Sequence, residues 1–197
     1  MLSEMILFME MKQMEGISLI DSLFFDTDCI SAFLWVNEEF LLSQLYPTKI
    51  VIPQEVYKEL SNPSILWMKK RIDILVNQNI VIIENIDVDS DEYEIYYKLT
   101  QAPEGTHKII GKGEAASISL AKKHGGILAS NNLKDIKGYI DEFNLKHITT
   151  ADILVEAYKK GLIDEKKGNQ IWKNMLQKKR KIGGTSFSGY LLQINSK

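Results

Sequence analysis

The stretch from Leu23 to Val36, LFFDTDCISAFLWV, decides how the rest of the sequence is interpreted. The apolar run Leu23–Phe25 stops at Asp26, a second acid follows at Asp28, and an apolar pattern with helical spacing then begins. This order predicts a short buried strand that presents a carboxylate at its carboxyl end. Because ligands of open α/β sheets bind at that edge, Asp26 is the first candidate site residue.

Composition limits the class of protein. The chain has 197 residues, 45% apolar and 25% charged, which are ordinary values for a globular domain with a substantial core. Its formal net charge of −2 gives no global basic field that would indicate nucleic acid. The single cysteine, Cys29, excludes an intramolecular disulfide and favours a cytoplasmic protein. No apolar run reaches the ~20 residues of a spanning helix, so no membrane partner is expected.

Outward from the first strand, apolar segments alternate with helical patterns. Further strands are predicted at residues 49–53, 80–83, 127–130 and 146–148. The alternation indicates βαβ units, so the expected fold class is α/β with a central, mainly parallel sheet of about five strands. We expect an N-terminal extension at 1–20, a main domain at 21–160, and C-terminal helices packed on it at 161–197. The first C-terminal helix is predicted to run from Asp164 to Lys181.

Four acids occupy corresponding places in this scheme, and one of them, Glu59, lies near the end of the helix after the second strand. Asp26 ends the first strand, Glu114 begins the helix before the fourth strand, and Asp135 lies just past that strand. In a parallel sheet these positions can converge on one edge, where the acids would repel one another unless a cation neutralised them. Carboxylate oxygens select hard ions such as Mg²⁺ or Mn²⁺. An ion of this kind can activate water for hydrolysis of a phosphodiester bond.

Four segments together resemble the PIN-domain family, small metal-dependent ribonucleases that include VapC-like toxins. They are FDTD at 25–28, IVIPQEVYKEL at 50–60, GEAASISLA at 113–121 and ILASNNLKD at 127–135. The resemblance implies a three-layer α/β/α sandwich, with 21–160 as the nuclease domain. It also implies a cytoplasmic Mg²⁺- or Mn²⁺-dependent endoribonuclease that acts on RNA. An antitoxin protein and a second copy of the chain in a homodimer are the further partners that the resemblance allows.

The resemblance assigns roles to particular residues. Asp26, Glu59, Glu114 and Asp135 match the catalytic acids of the family, and all of these except Glu59 match its metal ligands. Many relatives carry an aspartate where this chain has Asn131-Asn132, so one charge at the site is absent. The weaker metal candidates are Asp28, Asn132 and Asp152.

Each acid also has a structural explanation. Glu114, Asp135 and Asp152 fall in first turns of predicted helices, where the helix dipole favours negative charge. Glu59 fits a solvated helix position, and Asp28 fits a helix N-cap. The residues alone leave both interpretations open.

Two other functions stay open, and so does the role of the basic run Lys178–Lys181. Asp26-Thr-Asp28 after an apolar strand also resembles the nucleophile motif of haloacid-dehalogenase-type phosphatases, with Asp26 as nucleophile and Asp28 as general acid. A catalytically degenerate PIN domain that only binds a partner is the other alternative, because of Asn131-Asn132. The basic run is either a solvated helix face or a contact for RNA phosphates.

Overall fold

The computed structural model describes residue 19, residues 21–102 and residues 108–196. The predicted N-terminal extension at 1–20 therefore lies outside the described residues, apart from position 19. Within those described ranges, no helix is both long and apolar enough to cross a membrane.

Five short strands form one parallel sheet in the order β3-β2-β1-β4-β5. Phe24 lies opposite Val51 on one side and Leu128 on the other, so β1 is the central strand. The predicted parallel sheet of about five strands is confirmed. The strands are β1 (Leu23–Phe25), β2 (Ile50–Pro53), β3 (Val81–Glu84), β4 (Ile127–Ala129) and β5 (Lys146–Ile148).

Ten α-helices accompany the sheet in the described residues. Before β4 these are α1 (Thr27–Val36), α2 (Glu39–Leu45), α3 (Gln54–Leu60), α4 (Leu66–Asn77), α5 (Asp91–Gln101) and α6 (Lys112–His124). After β4 they are α7 (Leu133–Phe143), α8 (Thr150–Lys159), α9 (Glu165–Gln177) and α10 (Phe187–Asn195).

Side chains of the strands alternate between two cores, one on each face of the sheet. Phe24, Val51 and Leu128 pack into the smaller core with α5, α6 and α7. Leu23 and Phe25 point the opposite way, into the larger core that the remaining helices cover. The predicted three-layer α/β/α sandwich is therefore confirmed.

The C-terminal helices belong to the larger core. Trp172 of α9 and Phe187 of α10 are fully buried, with ring centroids 6.0 Å apart. Gly168 allows this contact, because a Cβ there would lie 2.3 Å from Phe187 Cδ1. The two helices are thus fixed against the same core that holds β1.

Two predicted helix bounds were wrong. Helix α9 ends at Gln177 instead of Lys181, because Lys179 has a φ of 58°, which a right-handed helix cannot contain. Helix α6 begins at Lys112, so Glu114 is the third residue of its first turn and not its first residue.

The strand order reverses between β1 and β4, and this reversal positions the candidate site. Helices α1 and α2 lead from β1 to β2 on one face, whereas α5 and α6 lead from β3 to β4 on the other. Connections that diverge in this way leave a crevice at the carboxyl edge of the sheet. Asp26 follows β1 at this edge, and Ser130 follows β4 beside it.

Candidate active site

Asp26 is fixed between the end of β1 and the start of α1. Its backbone N–H donates to the Ala129 carbonyl at 3.0 Å, which extends the pairing of β1 with β4. Its Oδ1 accepts the N–H of Cys29 at 2.6 Å and so caps α1. The residue is only 1% exposed, and Oδ2 has no hydrogen-bond partner among the described residues. One buried carboxylate oxygen is thus left available for a ligand.

A cleft of about 250 Å³ opens at this end of the sheet. Its lining comes from three separate parts of the chain: the start of α1, the end of α3 and the start of α6. The lining residues are Asp26, Thr27, Asp28, Glu59, Gly111 and Glu114. Four of the predicted site residues therefore border one cleft, although they span almost 90 positions of the sequence.

Two residues that the sequence analysis did not single out hold Glu59 in the cleft. The Thr27 hydroxyl donates to Glu59 Oε2, and the Gly113 N–H donates to Glu59 Oε1 at 3.0 Å. A Cβ at position 113 would lie 2.9 Å from both Glu59 Oε1 and Thr27 Oγ1. Only glycine allows this approach, so Gly113 and Thr27 orient a carboxylate that would otherwise be a mobile surface group.

Asn132 joins Glu114 to Asp135. Its side-chain nitrogen donates to Glu114 Oε1 at 2.6 Å and to Asp135 Oδ2 at 2.9 Å. Glu114 Oε2 also accepts the N–H of Gly111 at 3.3 Å. Asp135 is an exposed residue in the first turn of α7, and it reaches the cleft through Asn132 instead of lining it. The amide thus presents donors to two carboxylates in this arrangement.

Asp152 is engaged elsewhere. Its Oδ2 accepts the backbone N–H of Thr149 at 2.9 Å and the Thr149 hydroxyl at 2.6 Å, which forms a capping box for α8. Its Oδ1 accepts the hydroxyl of Tyr190 at 2.9 Å. Asp152 does not line the cleft, and both of its oxygens serve to fix α8 and α10.

Burial and like charge make ionisation of two cleft residues unfavourable. Burial raises the pKa of Asp26 to about 7, and the charges of Asp28 and Glu114 add to the increase, while the nearby Ser130 hydroxyl and the Cys29 N–H oppose it. Burial also raises the pKa of Glu114, as do Asp135 and Asp28, while hydrogen bonds from Asn132 and Gly111 oppose it. Both carboxylates would therefore gain from a nearby cation.

The donor set fits a hard divalent cation bound by few protein ligands. No group of three Asp, Glu, His or Cys side chains in the described ranges is already arranged to enclose a metal ion. Mg²⁺ is typically held by one or two carboxylates, with water and substrate oxygens completing its shell. The unpartnered Oδ2 of Asp26 and the carboxylate of Glu114 on the same cleft are oxygen donors of this kind.

Comparison with known proteins gives one finding. A protein-family model described as a PIN domain matches residues 22–195, which include all five strands and all ten described helices. A comparison with curated proteins finds no match.

Proposed function

Because the chain belongs to the PIN-domain family, whose members are generally nucleases, we propose that it is a metal-dependent endoribonuclease that hydrolyses RNA phosphodiester bonds. The observation that carries this proposal is Asp26, a buried carboxylate with one free oxygen and a raised pKa, which faces a cleft bordered by Glu59 and Glu114. An acid that only capped α1 would not need a second carboxylate oxygen that is buried and unpartnered.

Mg²⁺ or Mn²⁺ is the proposed cofactor, held by Asp26 and Glu114. Asp135 supports the site through Asn132, and Asp28 at the mouth of the cleft is a weaker candidate. When bound, such an ion stabilises the negative charge that develops on the phosphate and promotes ionisation of water.

The residues of the chain supply the rest of the mechanism. Asp26 must lose its proton to act, and its burial, together with the neighbouring charges of Asp28 and Glu114, opposes that loss by raising its pKa. Thr27 and Gly113 hold the carboxylate of Glu59 at the edge of the cleft, where it can orient a water molecule and accept its proton. The substrate proposed is single-stranded RNA, since an RNA duplex offers side chains little access to its bases and a strand end or loop can enter a cleft.

The resemblance to VapC-like toxins supports two finer proposals. The protein would be the toxin of a toxin–antitoxin pair in the cytoplasm, with an antitoxin protein as its inhibitory partner and a homodimer as its assembly state. A small adjacent reading frame that encodes a co-purifying inhibitor would support the first, and light scattering on the purified protein tests the second.

Single-turnover cleavage of a structured RNA with Mg²⁺ or Mn²⁺ tests the proposed activity. Asp26→Asn should lower the rate by roughly a hundredfold or more, the usual cost of losing one electrostatic catalytic group. Asp141→Asn on the exposed surface of α7 is the matched control, and circular dichroism verifies both folds. A folded Asp26→Asn variant that cleaves at the wild-type rate would remove Asp26 from the mechanism.

The same assay separates the two alternatives. A folded wild-type protein that binds Mn²⁺ but cleaves no RNA would be a degenerate, partner-binding PIN domain. Turnover of a phosphomonoester without RNA cleavage would favour a phosphatase. The family match and the position of Asp28, 61% exposed inside the first turn of α1, both disfavour a phosphatase.

A further inference from the structure

The basic run after α9 forms a tight turn instead of a continued helix. Lys178 caps α9, and Lys179 adopts the left-handed conformation with a φ of 58°. The chain then folds back, and the N–H of Arg180 donates to the Met175 carbonyl at 3.0 Å. This turn removes Arg180 from the helical spiral and directs it towards the start of α1.

Arg180 lies beside Asp28, a residue that lines the candidate cleft. Its Nε donates to the Lys178 carbonyl at 3.0 Å, which fixes the orientation of the guanidinium. Its Nη1 lies 4.0 Å from Asp28 Oδ1, close enough for attraction but too far for a hydrogen bond. No described residue accepts a hydrogen bond from its terminal nitrogens. The terminal N–H groups of the Arg180 guanidinium, whose planar geometry suits a phosphate, are therefore available beside Asp28.

An aromatic surface supports the two cations. Lys178 Nζ lies 5.5 Å from the ring centroid of Trp35, and Arg180 Cζ lies 5.9 Å from it. The Trp35 ring meets Trp67 edge to face at a centroid distance of 5.1 Å. These contacts restrict both side chains, so less conformational entropy is lost when they bind an anion.

Acidic residues follow the edge strand β3. The segment that follows β3 carries the exposed acids Asp87, Asp89, Asp91 and Glu94. These acids repel a polyanion that approaches the cleft, whereas Arg180 attracts it. The net charge of −2 hides this difference, because it sums charges of both signs.

We propose that Arg180, assisted by Lys178 on Trp35, binds a backbone phosphate of single-stranded RNA next to the phosphate in the cleft. The proposal rests on the proposed nuclease function and names the side from which the strand enters. Arg180 is thus assigned as a substrate-binding residue, supplied by the C-terminal part of the chain.

RNA binding by the full chain tests the proposal without cleavage. In an Asp26→Asn background, fluorescence anisotropy with a labelled single-stranded RNA should show that Arg180→Gln weakens binding roughly tenfold. The slope of log affinity against log salt should also fall by about 0.7, the value for one phosphate contact of a single strand. Arg180→Lys should keep the slope but recover only part of the affinity, because it retains the charge and loses the fork.

Lys159→Gln at the far end of α8 is the control for the loss of one exposed cation, and it should leave both quantities unchanged. Equal affinity and slope for Arg180→Gln and the background protein would overturn the inference, as would an equal effect of Lys159→Gln. The experiments can overturn the nuclease proposal and the Arg180 proposal independently of each other. Arg180-dependent RNA binding by a wild-type protein that cleaves nothing would overturn only the nuclease proposal, whereas cleavage with Arg180-independent binding would overturn only this one.

Discussion

Asp26→Asn should make the metal-free protein more resistant to unfolding at neutral and alkaline pH, although the same change should slow cleavage strongly. The Asp26 carboxyl is buried, and the charges of Asp28 and Glu114 lie near it, so its pKa in the folded protein is raised to about 7 from an ordinary value of 3.8. Asparagine has nearly the same shape and carries no charge at any pH. Its carbonyl oxygen can still accept the N–H of Cys29 that caps α1.

The sign and size of the effect follow from proton linkage. Between pH 4 and pH 7 the unfolded chain has released the Asp26 proton while the folded chain still holds it, so stability falls as pH rises. The penalty is absent below the unfolded pKa and complete above the folded one. The difference between 3.8 and about 7 corresponds to about 4 kcal/mol of unfolding free energy, at ~1.36 kcal/mol for each pH unit.

Urea denaturation in EDTA at a series of pH values from 4 to 8 measures this effect. The unfolding free energy of Asp26→Asn minus that of the wild type should rise by about 4 kcal/mol across the series. Asp141→Asn serves as the control for the loss of one exposed carboxylate. Addition of Mn²⁺ should reduce the rise, because a cation in the cleft stabilises the ionised form of Asp26.

A difference between Asp26→Asn and the wild type that stays constant from pH 4 to pH 8 would refute this reasoning. It would mean that the Asp26 carboxylate is solvated or paired in the folded protein. If Mn²⁺ leaves the rise in the free-energy difference unchanged, burial still explains the raised pKa of Asp26. The cation would then bind away from Asp26.

Residues in and around the cleft give three further predictions. Asn132→Asp should lower the metal concentration for half-maximal cleavage and also the Tm in EDTA, because it adds a negative charge beside Glu114; an unmoved midpoint in a metal titration would contradict this. Gly113→Ala should slow single-turnover cleavage by roughly a hundredfold in a folded protein, because the new Cβ, 2.9 Å from Oε1 of Glu59, displaces that carboxylate. Asp26→Asn/Glu114→Gln should lose the rise in Tm that Mn²⁺ gives the wild type, and an equal rise in both proteins would locate the ion elsewhere.

Local sequence signals predicted the elements that position the site. The apolar run that stops at Asp26 predicted β1 and the placement of a carboxylate at its end. Proline suits a position just before or at the first turn of a helix, and α3 begins directly after Pro53, at Gln54. These signals are reliable because strand pleat, helical period and capping act between residues only a few positions apart.

Some local signals were insufficient even for local structure. The basic run Lys178–Lys181 continues a pattern compatible with a helix, yet the chain turns at Lys179. The turn brings Arg180 to the start of α1, where it approaches Asp28 and the ring of Trp35. Contacts between residues so far apart in the chain override a weak helical preference, because propensity contributes only tenths of a kcal/mol per residue.

The sequence by itself determined that the chain alternates strands and helices and that Asp26, Glu114 and Asp135 have positions that can converge on one edge of a sheet. Only the tertiary structure decided which groups accompany them. Gly113 reaches Glu59 across 54 positions of the chain, and Asn132 reaches Glu114 across 18. The physical reason is that side-chain hydrogen bonds of 2.6–3.0 Å require the packing of separate helices, which no local pattern specifies.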